Sequence, residues 1–160
     1  MAITTTQINH LLRLLSMELQ CTENLSTVLK QEHLALTESD PDQIIAISER
    51  KKVLIEQMGR HLADRQGFLA SLGLNSDRKS VDTLLGSLPE AEAAYAVWRQ
   101  LMEMAAQLNK SNQINGGIIT LGSRHIRQTI DILTGNQSAG DTYNPKGRQS
   151  DTTSRSLARA

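Results

Sequence analysis

Four histidines, one cysteine and two closely spaced asparagines are the residues of this chain best suited to chemistry. His10, His33, His61 and His125 share no spacing with a nucleophile or with one another, and none stands in an H-E-x-x-H pattern. A zinc site needs clustered Cys and His ligands, and Cys21 is the only cysteine, so an internal disulfide is excluded as well. Cys21 falls in line with Leu14, Leu25 and Val28, where a free thiol behaves as a small apolar side chain. "GGIITLG" has glycines without the order of a phosphate loop, and no strand precedes it. The basic cluster in "SERKKVLIE", residues 48–56, is flanked by Glu49 and Glu56 and reads as helix-surface ion pairing rather than a nucleic-acid site. Asn24-Leu25-Ser26 and Asn136-Gln137-Ser138 match the glycosylation pattern by chance, since no secretion signal accompanies them. Asn112 and Asn115 admit two readings, a polar pair that fixes helix register or a binding role. The expectation is a protein that is not an enzyme and holds no metal or cofactor.

The elements that carry these residues are helices. The first periodic segment spans about 5–38, behind the N-cap hydroxyls of Thr4, Thr5 and Thr6. Leu11, Leu14, Leu15, Leu19, Cys21, Leu25, Leu29 and Leu36 share one face, and Ile8 and Leu12 widen it to about half the circumference. A helix in a simple bundle needs a narrower stripe, about 100°. The excess therefore contacts two neighbours or awaits a partner. "ESDPDQ" breaks the helix, and Asp40 with Pro41 starts a second over about 42–72, folded back antiparallel because the connection is short. Its stripe is Ile44, Ile47, Leu54, Ile55, Met58, Leu62, Leu69 and Leu72. Gly73 is the expected C-cap, and a short helix at 80–88 places Leu84, Leu85 and Leu88 over one end of the bundle.

Pro89 then opens the longest helix, about 90–133 and about 65 Å at ~1.5 Å per residue. Its main stripe runs through Ala94, Trp98, Leu101, Ala105, Leu108, Ile119, Ile126, Ile130 and Leu133, crossing Asn112 and Asn115 on the way. A second row, Ile114, Ile118, Leu121 and Ile132, lies nearly opposite. A helix apolar on two faces is sandwiched or waits for a partner. Gly116 and Gly117 would permit close approach, a bend or local opening. The fold class expected is all-α: an antiparallel, coiled-coil-like three-helix bundle over 1–134, a short extra helix, and a flexible polar tail over 135–160.

The totals agree. Seventeen basic and seventeen acidic residues leave no overall charge to attract nucleic acid or an anionic membrane. The tail carries Lys146, Arg148, Arg155 and Arg159 against Asp141 and Asp151, an excess too small to name a partner. Aromatics are 2 % of the chain, so the core must be aliphatic helix-on-helix packing. No apolar stretch approaches the ~20 residues of a membrane span, and the N-terminus lacks a signal-peptide pattern. A cytoplasmic setting is the default. One of the few rings, Tyr143, lies in the polar tail, in "GDTYNPKGRQS".

Taken in order, "INHLLRLLSMELQ", "LNKSNQINGGII" with "LTG", and "TYNPKGR" make the chain resemble the FlgN family of flagellar export chaperones. The resemblance covers nearly the whole length. It implies a small cytoplasmic chaperone that binds the C-terminal regions of hook–filament junction proteins, keeps them from associating early and delivers them to the flagellar type III export gate. It puts cargo binding on the second half of the long helix, which here holds Ile114, Ile118, Leu121, Ile126 and Ile132. It puts docking to the cytoplasmic domain of the export gate on Tyr143, beside Pro145, where relatives often have a small or acidic residue. A disordered cargo tail would order in an apolar groove, and the ordering cost keeps affinity moderate. Two other readings stay open: a coiled-coil oligomerisation module whose extra apolar rows join copies of itself, and a helical ligand-binding bundle or enzyme using Asn112, Asn115 and His125.

Overall fold

A computed structural model describes residues 3–133 of the chain, with side chains through residue 120. Helix α1 spans Thr5–Glu38 and starts on a capping box. The Gln7 backbone N–H donates to Thr4 Oγ1 at 3.3 Å, and the Thr4 N–H donates to Gln7 Oε1 at 2.8 Å. The helix ends on Ser39, which holds the left-handed conformation (φ 54°, ψ 43°) and lets the Asp40 N–H reach Ala35 O at 3.1 Å. Asp40 then caps the next helix, its carboxylate accepting from the Gln43 N–H at 3.2 Å. With Pro41 at the first position, α2 runs Pro41–Ser71.

Gly73, at φ 70°, closes α2. Its own N–H reaches Ala70 O and the Leu74 N–H reaches Leu69 O, both at 2.9 Å, the paired bonds that only a left-handed residue permits here. Asp77 caps the short α3, Arg78–Gly86. Pro89 was expected to begin the long helix. It opens instead a single 3-10 turn, Pro89–Ala91, closed by the Ala91 N–H on Leu88 O at 3.0 Å, and α4 follows as Glu92–Leu133.

Helices α1 and α2 are antiparallel, since Glu18 meets Arg65 and Glu32 meets Lys51. Helix α4 runs alongside α1 in the same sense: Leu101 joins Leu15 in one cluster, and Asn115 bonds to α1 at Leu29. The main core lies at one end, where Ile8, Leu11 and Leu15 of α1 pack with Leu69, Val81, Leu85, Ala94, Trp98 and Leu101. The unusually wide first half of α1 is thus used inside the chain, against α3 and α4, with Leu12 and Leu19 packed onto the same cluster. Toward the other end the buried cluster shrinks to Val28, Ala35 and Ile47. The chain divides into two compact units, Met1–Ser123 and Arg124–Ala160, and all the packing above belongs to the first. Of the second, the helix up to Leu133 is described. No helix among the described residues is long and apolar enough to cross a membrane.

Candidate functional site

The candidate chemistry is absorbed by structure. Cys21 is buried, its Sγ lies 3.4 Å from Leu54 O, and burial pushes the thiol above its ordinary value, so it is a poor nucleophile. His10 packs edge-on against Phe68 at 4.6 Å between ring centroids. His33 Nδ1 lies 3.1 Å from Asn115 Oδ1 and must be the donor, because an amide oxygen only accepts. His61 is half-buried, and the His125 side chain lies outside the described residues. No group of three or more His, Cys, Asp or Glu side chains suited to a metal ion occurs among the described residues.

Asn115 is the polar centre of the α1–α4 seam. Its Nδ2 donates to Leu29 O at 2.9 Å and to Glu32 Oε2 at 2.8 Å. Only 2 % exposed, it has no alternative partners in water, and sliding α4 by one residue would break all three of its bonds. The register reading of this asparagine is the one the geometry supports. Asn112, one turn earlier, is exposed and accepts from Lys51 Nζ at 2.8 Å. Lys51 in turn donates to both oxygens of Glu32, at 3.1 and 3.2 Å, so one polar clasp joins all three long helices.

A second polar tie was not anticipated from the sequence. Glu18 is 1 % exposed, and Arg65 Nε donates to its Oε1 at 2.6 Å. The guanidinium also lies 5.2 Å from the Trp98 ring centroid and donates to Ser76 O at 3.4 Å. Burial pushes the Glu18 carboxyl above its ordinary value, while the Arg65 hydrogen bond and charge, and the His61 charge, pull it back.

Between these two ties the helices part. Ile55, Met58 and Leu62 of α2 face Met102, Ala105 and Leu108 of α4 across a trough of about 340 Å³, floored by Leu25 and Leu29 of α1. The stripe that predicts continuous core on α2 is therefore only partly covered: Ile55 is 54 % and Leu62 36 % exposed. On α4 the stripe leaves the core at Ala105, which is exposed, with Leu108 half-buried. Ala105 is too small to bridge to α2. The trough's length follows α2 from Lys51 to Arg65, fourteen residues or about 21 Å. Mainly aliphatic walls with the charged groups at the ends suit an apolar helix face better than a small polar ligand.

The sequence-derived binding row lies elsewhere on α4. Ile114 is 48 % exposed and lines a separate hollow with Leu29, His33 and Leu34 of α1, while Ile118 is half-buried. Leu121, Ile126 and Ile132 are on α4, with side chains outside the described residues, and Tyr143 lies outside them altogether. Ile119, assigned to the main stripe, is 47 % exposed. Among the described residues nothing outside the helix's own backbone comes within 4 Å of where a Cβ would stand at Gly116 or Gly117.

Fold and site together define a small bundle of long helices whose open feature is an apolar trough between two polar ties. The chain belongs to the FlgN family, whose profile matches residues 1–151, and with it to the proteins of flagellar assembly. Its fold is similar to a crystal structure from Pseudomonas aeruginosa, described there as a flagella synthesis protein, FlgN. The TM-score is 0.63 at 21 % identity, over 78 % of this chain and 94 % of the other. No curated protein matches the sequence.

Proposed function

We propose that the protein is a cytoplasmic export chaperone. It binds amphipathic helices from the C-terminal regions of hook–filament junction proteins, keeps them from associating early and brings them to the flagellar type III export gate. The observation that carries this reading is the trough itself, along which parts of two amphipathic stripes stand uncovered. A fully buried Leu or Ile contributes ~1.5–3 kcal/mol. Ile55 and Leu62 are only 54 % and 36 % exposed and Met58, Met102 and Leu108 are already half-buried, so completing their burial adds on the order of 3 kcal/mol, to which the docked helix's own apolar face adds its share, set against ordering costs of several kcal/mol. The difference supports reversible holding, which a carrier that must release its cargo needs.

Cargo contact is proposed to include the α4 row Ile114, Ile118, Leu121, Ile126 and Ile132, with Tyr143 as the anchor for the gate. The test is co-purification of cargo C-terminal fragments with the full chain and with Leu62→Glu, alongside sizing of the free protein. Capture by the wild type and loss in the variant support the reading. A free protein that is a stable homodimer through the trough would point to the oligomerisation module instead.

A further inference from the structure

The two ends of the trough differ chemically, and the difference gives it a direction. At one end Arg65 and Glu18 neutralise each other at 2.6 Å, with side chains 7 % and 1 % exposed, and the guanidinium is covered by Trp98. Neither member of that pair has a charge left over for an arriving chain. At the other end the Lys51 side chain is 22 % exposed while that of its counterion Glu32 is 6 % exposed. Glu32 Oε2 is also held by Asn115. The remaining Lys51 bond, to Asn112 Oδ1 at 2.8 Å, ends on an exposed residue of the opposite wall. It is the bond an incoming acceptor replaces most easily. Among the described residues lining the trough Glu18 is the one carboxylate, and of the two cations, Lys51 and Arg65, Lys51 is the more exposed.

A helix presents partial negative charge at its C-terminal end, where the last carbonyls lack partners, and partial positive charge at its N-terminal end. We infer that Lys51 is a specificity-determining residue that sets the polarity of the docked helix. The helix lies in the trough with its C-terminal end, or a terminal carboxylate, at Lys51 and its N-terminal end toward Arg65. It is then parallel to α1 and α4 and antiparallel to α2. The span between the ties fits about four turns, so the partner is a helix of roughly 14 residues with apolar side chains spaced i, i+3 or i+4, i+7. This inference rests on the trough reading above, and its test separates the two.

The probe is a synthetic 14-residue Leu-striped amphipathic peptide, fluorescently labelled and made with either a free C-terminal carboxylate or a carboxamide. Binding to the full chain is measured by fluorescence anisotropy. The free carboxylate should bind about five- to tenfold more tightly on the wild type. Lys51→Met would leave Glu32 buried without its partner, so the informative variant is the double change Lys51→Met, Glu32→Gln, with folding checked by circular dichroism. It should bind both peptides equally, at the carboxamide affinity, and Lys51→Arg should keep the preference. Equal binding on the wild type, or a preference that survives the double change, overturns the polarity assignment and leaves the trough standing. Binding of neither peptide, or binding that Leu62→Glu does not weaken, overturns the trough reading and the polarity with it.

Discussion

Glu18 and Arg65 form the more deeply buried of the two ion pairs among the described residues. Leaving one member of a buried ion pair alone costs about 3–5 kcal/mol, whereas replacing both with apolar residues of similar volume is often neutral or stabilising. Arg65→Met should therefore destabilise strongly in urea titrations, and Glu18→Met with Arg65→Met should recover most of the loss. The pH dependence has a definite sign. Because burial raises the Glu18 carboxyl above its ordinary 4.5, the folded state holds that proton more firmly than the unfolded chain does. The stability this group contributes is full below the unfolded value and falls as pH rises through the folded one. Glu18→Gln, neutral throughout, should gain on the wild type as pH rises above about 4.5, measured as the difference in melting temperature between pH 4 and pH 7. Nothing in the sequence announces this pair. Its members are 47 positions apart, and each sits in a helix with ordinary surface charges around it. Asn115 is different: its place on the apolar stripe of the long helix raises the register reading beside a binding one, but Asn112 shares that stripe and is exposed, so the stripe alone does not tell the two apart.

At the scale of the helices, sequence reading succeeds where the signal is local. Thr4 and Asp40 cap within three residues, Pro41 starts α2 with its fixed φ, and Gly73 stops it, whereas the short helix expected at 80–88 begins earlier, at Arg78 behind an Asp77 cap the sequence reading missed. It fails where the outcome depends on how far apart two helices stand. Ile55 and Leu62 belong to the same stripe as Leu69, which is 0 % exposed, and only the small Ala105 on the facing wall hints that the helices do not meet there. Two predictions belong to α4. Gly116→Ala and Gly117→Ala meet no steric obstacle among the described residues, so each should raise stability by about 1 kcal/mol in chemical denaturation. Ile118→Asp with Leu121→Asp should abolish cargo capture while far-ultraviolet circular dichroism stays close to wild type. Wholesale loss of helicity would make those residues core and remove them from the binding row.

For the molecule as a whole, holding cargo and presenting it to the gate are proposed to be separable. Tyr143→Ala should leave cargo affinity unchanged and reduce export and swimming motility, and an unaltered export rate would end the gate assignment. The wide apolar face of α1 was open to two readings from sequence, surplus for a partner or contact with two neighbours. In its first half the second holds, with α3 and α4 sharing Ile8, Leu11 and Leu15.

The core is also lopsided, and this has an optical consequence. The one tryptophan of the chain, Trp98, is buried in the densely packed end, under Arg65. Asn112, at the clasp, is fourteen residues further along α4, about 21 Å away. The thinner end, around Val28, Ala35 and Ile47, contains no indole. Selectively excited tryptophan emission therefore reports on one end alone, whereas circular dichroism averages over both. Melting curves that coincide would mean the ends cooperate, and an ellipticity loss that precedes the red shift would reveal the thin end fraying in the dark.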